Sequence, residues 1–268
     1  MNEYPRKPNH PQSGFSLVEI LVAMALGLVL LGGTIVIYAS SKNSYRLQEN
    51  IAGMQENARF AILALRSNLE MAGFPSINDV EPFLVGSNET SDGSGSNSDQ
   101  ITIRYESRAP LTTDCLGTDI PQGNIIESHY FINADNNLAC RGNGNRSPQT
   151  LVENIDNMQI LYGVDTDAGG DGVANLYISA SEVEAGVVSV GTPDWDKVVS
   201  LRLALLVSSE TAINNPATAT GADSPTAPST SVSTSRDFTL LDAPTITKDD
   251  GRLYRVFTTT IPLRNRIP

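Results

Sequence analysis

Residues 15–39 read FSLVEILVAMALGLVLLGGTIVIYA, and Glu19 is the only charged residue among them. As a helix, this stretch would span roughly 38 Å at about 1.5 Å per residue, enough to cross the ~30 Å hydrocarbon core of a bilayer. Arg6 and Lys7 precede it, and no basic residue follows it before Lys42. Because basic residues stay on the cytoplasmic side, the sequence predicts one membrane span with a cytoplasmic amino terminus and a periplasmic remainder.

The sequence that suits proteolytic processing, Ser13-Gly14-Phe15, stands at the amino-terminal edge of the apolar stretch and not after it. An ordinary secretory signal peptide is instead cut after its apolar segment. Cleavage between Gly14 and Phe15 would therefore leave the apolar helix on the mature chain. A plain signal anchor, which is not cleaved, is the alternative that hydropathy alone leaves open.

Glu19 argues against a plain anchor. A carboxylate well inside a membrane helix costs about 2.5–3.5 kcal/mol on insertion scales, so such residues usually have a partner. After cleavage, Phe15 would carry the new α-amino group, and this amine could pair with Glu19 of a neighbouring subunit in a medium of low dielectric constant. The alternative is that Glu19 simply lies near the lipid headgroups.

Residues 14–19, GFSLVE, and the apolar run after them resemble the class III signal of type IV prepilins and secretion pseudopilins. This resemblance implies that residues 1–14 are a leader, which a prepilin peptidase removes after Gly14, and that Phe15 is then N-methylated. It also implies that Glu19 guides the docking of subunits in the membrane and in the filament. The motif does not distinguish one type of pilin from another.

The helix is predicted to continue past the membrane, with residues 15–40 as its transmembrane half and residues 41–73 as an amphipathic half. Apolar residues recur in the second half at steps of three or four, as expected for one helix face: Leu47, Ile51, Met54, Ala58, Ala61, Leu65 and Leu69. Gly73 and Pro75 are typical of a helix end. We expect this stripe to pack against a sheet of the same chain; a coiled coil with another subunit is the alternative.

Gly32 and Gly33 form a weak point in the membrane half, since each glycine costs a helix about 1 kcal/mol relative to alanine. Local unwinding, when the subunit leaves the bilayer for a filament, is one explanation of the pair. Close packing against another helix is the other.

After residue 73 the pattern changes to the period of two that is typical of strands. The candidate strands are 101–105, 126–133, 157–164, 174–179, 199–207 and 252–263. A long helix followed by successive strands, without helical segments between them, predicts an α+β fold of the pilin type, with an antiparallel sheet in residues 74–268. Residues 86–100 and 208–237 are poor in large apolar side chains and are predicted to be mobile loops.

The composition limits the partners and the compartment. A formal net charge of −12 and a pI of about 4.5 argue against a nucleic-acid partner, because phosphate binding needs a basic face. The two cysteines, Cys115 and Cys140, suit one disulfide in an oxidising compartment, and two free thiols are the less favoured alternative. Such a disulfide would stabilise the domain by roughly 3 kcal/mol in the chain-entropy model.

One acidic stretch has the character of a metal site. Residues 165–172 read DTDAGGDG, and the carboxylates of Asp165, Asp167 and Asp171 could converge on a hard cation such as Ca²⁺. The stretch departs from an EF-hand loop, because Leu176 stands where a bidentate glutamate belongs. An acidic, solvated hairpin turn is the alternative.

The sequence offers no catalytic constellation. It contains no Gly-x-Ser-x-Gly elbow, no His-Glu-x-x-His motif, no phosphate-binding glycine loop and no dinucleotide fingerprint. His129 lies in a strand-like run, so a packed or surface histidine is a better interpretation than a general base. We therefore predict that the protein is not an enzyme.

Three later segments, 157–167, 195–207 and 255–266, are similar to segments of PilW-type minor pilins; the last of them contains the closing Arg264-Asn265-Arg266. The resemblance implies a low-abundance subunit of the inner membrane that joins other minor pilins in a priming complex, starts pilus assembly and can remain at the tip. The implied partners are other minor pilins, the major pilin, the prepilin peptidase, the inner-membrane assembly platform and the lipid bilayer.

Two alternatives stay open for the function. A J-type minor pseudopilin of type II secretion shares the architecture, although the acidic turn and the Arg-Asn-Arg tail favour the pilus protein. An adhesin at the pilus tip is the other alternative. The sequence does not choose between twitching motility, adhesion and DNA uptake.

Overall fold

The structure is a computed structural model, and it describes residues 16–75, 80–86, 89–167, 169–212 and 235–266. The chain divides into two compact units, Met1–Gln48 and Glu49–Pro268. The first helix, α1 (Leu17–Leu69), begins in the first unit and ends in the second.

The first unit consists, where it is described, of Ser16 and the amino-terminal part of α1. The backbone N–H groups of Glu19 and Ile20 donate to the carbonyl of Ser16, at 3.0 and 3.2 Å, and so begin the helix. The apolar side chains from Leu17 to Tyr38 are exposed within this unit. Of the helices that the structure describes, α1 is the one long and apolar enough to cross a bilayer, a test that signal sequences also pass.

The helix remains regular through Gly32 and Gly33, and a β-carbon added at either position would meet no atom within 4 Å. Neither glycine is therefore needed for close packing inside the described part of this chain. Packing of this face against another subunit, and unwinding outside the membrane, both remain predictions.

In the second unit, α1 buries the predicted stripe against the sheets. Its buried residues are Met54, Ala58, Ala61, Leu65 and Leu69, all 5% exposed or less. Full burial of a leucine side chain stabilises a fold by about 1.5–3 kcal/mol. The stripe therefore packs on this chain's own sheets, as expected, but only from Met54 onward, because Ile51 is 39% exposed.

In the part of the chain that the structure describes, ten strands follow α1. They are β1 (Ile101–Glu106), β2 (Ile125–Ile132), β3 (Leu138–Gly142), β4 (Gln149–Val152), β5 (Ile155–Val164), β6 (Leu176–Ile178), β7 (Val198–Ser208), β8 (Arg236–Phe238), β9 (Ile246–Lys248) and β10 (Tyr254–Pro262). They form three antiparallel sheets with strand orders β1-β2-β3-β4, β10-β7-β5-β6 and β8-β9. The predicted α+β fold, with a long amino-terminal helix packed on antiparallel sheets, is confirmed.

A short helix, α2 (Ala180–Ala185), corrects the expectation that no helix interrupts the strands. Ser179 caps it by accepting from the backbone N–H of Glu182, and the Glu182 side chain accepts from the N–H of Ser179. These reciprocal bonds satisfy two backbone donors at the start of the helix. The predicted strand 174–179 is therefore reduced to β6, and Ser179 belongs to the helix.

The central strand β7 contributes to two apolar clusters, one on each side of its sheet. Leu201, Leu203 and Leu205 lie in the main core with the α1 stripe. Ala204 and Leu206 lie in a second cluster, beneath the β8–β9 hairpin. Because successive side chains of a strand point to opposite faces, the near-continuous apolar run of β7 reflects cover on both faces.

The segment 89–100, part of the stretch 86–100 that the sequence predicts to be a mobile loop, makes several polar contacts with β5. The side chains of Asn157 and Gln159 donate to the carbonyls of Ser96 and Asn97 at 2.9 and 2.8 Å. Asp99 is 5% exposed, and its two carboxylate oxygens accept from Gly93 N–H and Ile160 N–H at 2.8 and 2.7 Å. The segment is thus held along β5 by polar groups rather than by apolar burial.

The other predicted loop, 208–237, has described ends only. Ser208 closes β7, and Arg236 begins β8. Residues 213–234 lie outside the described part of the chain, so the prediction for them stays a prediction.

The buried Asp99 makes stability depend on pH. The pKa of this carboxyl group is raised to about 7, chiefly by burial and also by the neighbouring Asp92 and Asp242, against the lowering effect of two backbone hydrogen bonds. In the unfolded chain the pKa of an aspartate is about 3.9. The folded state therefore holds the proton more tightly, and Asp99 stabilises the fold below pH ~4 and loses this contribution as the pH rises to ~7.

We expect an Asp99→Asn variant to lose this dependence because an amide does not ionise. Denaturant unfolding of the full chain in detergent, at intervals between pH 4 and 8, would measure it as a shallower decrease of the unfolding free energy with pH. Exposed Asp135, replaced by Asn, is the matched control. Equal slopes for the wild type and Asp99→Asn would contradict the expectation.

Candidate functional site

Glu19 lies in the first turn of α1. Its carboxylate is at the helix end where a negative charge is favoured by the helix dipole. It is exposed, as are its apolar neighbours Leu17, Val18 and Ile20. No ion pair to Glu19 is formed by residues within the described ranges. The first turn therefore presents one carboxylate on an otherwise apolar surface.

Gly14 and Phe15, the predicted cleavage and methylation positions, lie outside the described residues. The helix begins at Leu17, close after them. Cleavage after Gly14 and methylation of Phe15 therefore stay predictions of the sequence. The role of Glu19 in docking is a prediction too.

The apolar surface around Glu19 continues along the helix. Exposure is 61% at Leu26, 74% at Val29 and 66% at Ile35. Exposed apolar surface of this extent is typical of protein or membrane contacts. Since each square ångström of apolar surface removed from water contributes roughly 25 cal/mol, lipid or neighbouring helices would stabilise this segment strongly.

The carboxyl-terminal end of α1 is held by the tail of the chain. Arg66 and Arg264 both bind the carboxylate of Glu70, at 2.7 and 2.9 Å. The Asn265 side chain donates to the carbonyls of Glu70 and Ala72, at 3.4 and 3.3 Å. Carbonyl groups at a helix end have no partner within the helix, so these bonds supply one.

Arg266 extends the same tail to the turn that precedes β7. Its guanidinium donates to the carbonyl of Trp195 at 3.3 Å and also to that of Asp196. The Trp195 ring lies 5.1 Å from Tyr162 and 5.5 Å from Phe83, centroid to centroid. We call residues 264–266 with these contacts the C-terminal clamp; it joins the end of α1 to an aromatic cluster of the core.

Asn265→Ala should destabilise the fold, because it leaves carbonyls of the last helical turns without their donor. We expect the unfolding free energy to fall by about 1 kcal/mol, the typical contribution of a hydrogen bond. Denaturant unfolding would measure it, with Gln149→Ala, an exposed amide in β4, as control. A loss no larger than that of the control would show that the Asn265 contacts contribute nothing.

The structure joins Cys115 and Cys140 in a disulfide, as the sequence predicts. Cys140 lies in β3 and is fully buried, whereas Cys115 belongs to the segment between β1 and β2. The backbone N–H of Cys115 donates to the Ser128 hydroxyl of β2 at 3.1 Å. The disulfide therefore attaches the long connection between β1 and β2 to the first sheet.

Asp165, Asp167 and Asp171 come together in the turn after β5, with ligand atoms within 4.8 Å of one another. Asp165 is buried, and its two oxygens accept from the N–H groups of Asp167 and Gly172, at 3.0 and 2.8 Å. Asp171 accepts from Val173 N–H at 2.9 Å. These bonds within the turn account for the convergence of the carboxylates without an ion.

The Ca²⁺ hypothesis for this turn nevertheless has a clear test. Three carboxylates are ligands that Ca²⁺ prefers, and a loose site of this kind would bind in the millimolar range. Calorimetric titration of the chain with CaCl₂ should then give a heat that Asp167→Asn reduces and the distant Asp135→Asn does not. Absence of uptake at millimolar CaCl₂ would end the hypothesis and leave an acidic turn.

His129 is a packed residue of β2. Its Nδ1 lies 2.7 Å from the Thr102 hydroxyl, and its ring stacks on Phe131 at 5.0 Å between centroids. Burial and the nearby Arg141, opposed by Glu89, together lower the pKa of His129 to about 4, so the ring is neutral at neutral pH. Its surroundings are structural rather than catalytic.

Two family models match the chain. The model of type IV pilus-assembly protein W matches residues 129–265, more than half of the chain. The model of the prokaryotic N-terminal methylation motif matches residues 9–35, which include Gly14, Phe15 and Glu19.

One solved structure is similar to the chain in its fold. It is a type IV-like pilin from Thermus thermophilus, which is 15% identical in sequence, with a TM-score of 0.44 over 80% of this chain and 97% of that chain. None of the curated proteins compared with the chain matches it.

Proposed function

We propose, from the premise that this chain belongs to the PilW family of type IV pilus-assembly proteins, that it is a minor pilin that helps to start the assembly of the pilus. A pilus-related structural role follows from the family itself. The observation that carries the finer proposal is the exposed apolar surface of α1 with Glu19 in its first turn. This surface could contact lipid before assembly and the helices of other subunits after it.

Before assembly, the apolar part of α1 would anchor the protein in the inner membrane. The methylation motif and the apolar helix are consistent with a membrane-anchored pilin. With Arg6 and Lys7 in the cytoplasm, residues 74–268 would lie in the periplasm. The prepilin peptidase would then remove residues 1–14 on the cytoplasmic side.

During assembly, Glu19 would select and position the next subunit. Its carboxylate is costly in the hydrocarbon core, where the α-amino group of Phe15 on a neighbouring subunit would offset that cost. The Glu19 carboxylate and the neighbouring α-amino group would meet only when the two subunits lie at matching depths in the membrane. The pair therefore favours one register of the apolar helices, whose remaining contacts are non-directional.

This geometry supports a priming role for the proposed minor pilin. The first subunits must meet in the membrane before a filament exists, and apolar helices with one charge pair per contact can form such a complex. The proposed partners are other minor pilins, the major pilin and the assembly platform of the inner membrane. A place at the pilus tip would follow for subunits that assemble first.

Deletion of the gene, scored by surface pili and by type II export, tests the proposal. We expect most surface pili to be lost while export stays intact, because the family is that of a pilus-assembly protein. Loss of export with pili intact would assign the chain to a secretion pseudopilus instead. Pili that persist while binding to surfaces is lost would favour a tip adhesin.

Glu19→Gln tests the charge pair in the same cells. The variant should be produced, inserted and cleaved, yet fail to restore piliation, because an amide does not neutralise the amine of Phe15. Asp249→Asn, an exposed carboxylate of the second unit, should restore it fully. Mass spectrometry of the native protein should find Phe15 methylated at the amino terminus; a retained leader, or loss of the whole apolar span, would overturn the assignment.

A further inference from the structure

A groove of about 650 Å³ lies inside the second unit, between α1 and the connection from β4 to β5. Its lining residues are Glu49, Asn50, Gly53, Met54, Glu56, Asn57 and Phe60 from α1, Leu151, Val152, Glu153 and Asn154 from the β4–β5 region, and Ser208, Glu210 and Thr211 from the end of β7. A volume of this size is in the range of ligand-binding clefts.

Two hydrogen bonds connect the walls of this groove. The Asn57 side chain donates to the carbonyl of Glu153 at 3.2 Å. The Thr211 hydroxyl donates to the Asn50 side chain, also at 3.2 Å. The helix and the two strand ends are thus bound to each other around the groove, which is formed by the fold and does not require a partner to create it.

The groove has an apolar part and an exposed aromatic ring. Met54 and Val152 are each 5% exposed. Phe60, in contrast, is 57% exposed. An aromatic side chain at the edge of a groove is a frequent anchor in protein interfaces, since it buries a large area when a partner covers it.

The charged residues of the groove are all acidic. Glu49, Glu56, Glu153 and Glu210 line it, and it has no lysine or arginine among its lining residues. None of the four forms an ion pair with residues that the structure describes. The stretch 213–234, which follows Thr211 closely, contains no lysine or arginine that could neutralise them.

Several other glutamates of this unit have cationic partners. Glu70 binds two arginines. Glu89 pairs with Arg141 at 3.0 Å, and Glu127 with Arg104 at 3.3 Å. The four groove carboxylates form no such ion pair among the described residues, although the Arg252 guanidinium donates to the Asn154 side chain at the groove wall.

We propose that this groove docks a basic segment of another pilin subunit, with an arginine or lysine side chain over the Phe60 ring and among the four carboxylates. An exposed aromatic face attracts a cation, and planar guanidinium groups also bind carboxylates in a bidentate manner. The net charge of −12 disfavours a second copy of this chain as the occupant, because like charges repel during association. The proposal deepens the proposed function and rests on it.

A peptide probe tests the chemistry of the groove on the full chain in detergent. We expect the peptide acetyl-Gly-Arg-Gly-Arg-Gly-amide to shift the amide resonances of groove residues, while the glutamine peptide of the same length does not. In the variant Glu56→Gln/Glu153→Gln/Glu210→Gln, binding should weaken about tenfold, since exposed ion pairs contribute ~0.2–1 kcal/mol each. Asp135→Asn/Asp249→Asn is the matched charge control and should bind like the wild type.

Three results would overturn the proposal at this stage. Equal shifts with the glutamine peptide, or unchanged binding by the triple variant when its spectrum shows an intact fold, would remove the charge argument. The same shifts with CaCl₂ alone at submillimolar concentration would assign the groove to a divalent cation instead of a protein segment.

A cellular measurement separates this proposal from the proposed function. A photo-reactive p-benzoylphenylalanine at position 60 should cross-link to another pilin, identified by mass spectrometry of the joined peptides, and the cross-link should point to a segment with lysine or arginine. The triple glutamine variant should reduce this product. An unchanged cross-link in the triple variant, or none to any pilin, would overturn the docking proposal, whereas the deletion and Glu19→Gln results would judge the minor-pilin function independently.

Discussion

The structure depends on the burial of one helix that has two different apolar surfaces. From Leu17 to Ala39, α1 is apolar apart from Glu19 and a few small or polar residues, and its apolar side chains are exposed within the first unit. From Met54 onward it is apolar on one stripe, and the sheets of its own chain cover that stripe. Small residues make this cover possible: Ala58 and Ala61 are 1% and 0% exposed, and their size lets the helix backbone approach the core.

Much of the fold could be predicted from local patterns. The period of the stripe predicts the packed face of α1, and alternation predicts β1, β2, β5, β7 and β10. The short strands β8 and β9 were not predicted, because three residues each are too few to show an alternating pattern. The helix α2 had a readable signal in Ser179 and Glu182, spaced as in a capping box. The order of segment 89–100 could not be read from composition, because it depends on Asp99 meeting the backbone of a distant strand.

The candidate sites also divide into those that the sequence indicates and those that only the folded chain reveals. Glu19 is conspicuous in sequence because a charge in an apolar run is rare. The role of Asn265 is invisible there, since its acceptors, Glu70 and Ala72, are almost two hundred residues away. The acidic groove is also assembled from three separate segments, and none of them is unusual alone. Sequence thus indicates where a charge is costly, whereas only the folded chain reveals which charges lack a neighbour.

The C-terminal clamp has a mechanical consequence. A pull along α1 would reach the rest of the second unit through the buried stripe, whose apolar contacts are non-directional. At the last turn of the helix, Arg264 and Asn265 add directional bonds to Glu70 and the final carbonyls. Load on the end of α1 would therefore be shared by several bonds at once and passed on to the Trp195 turn.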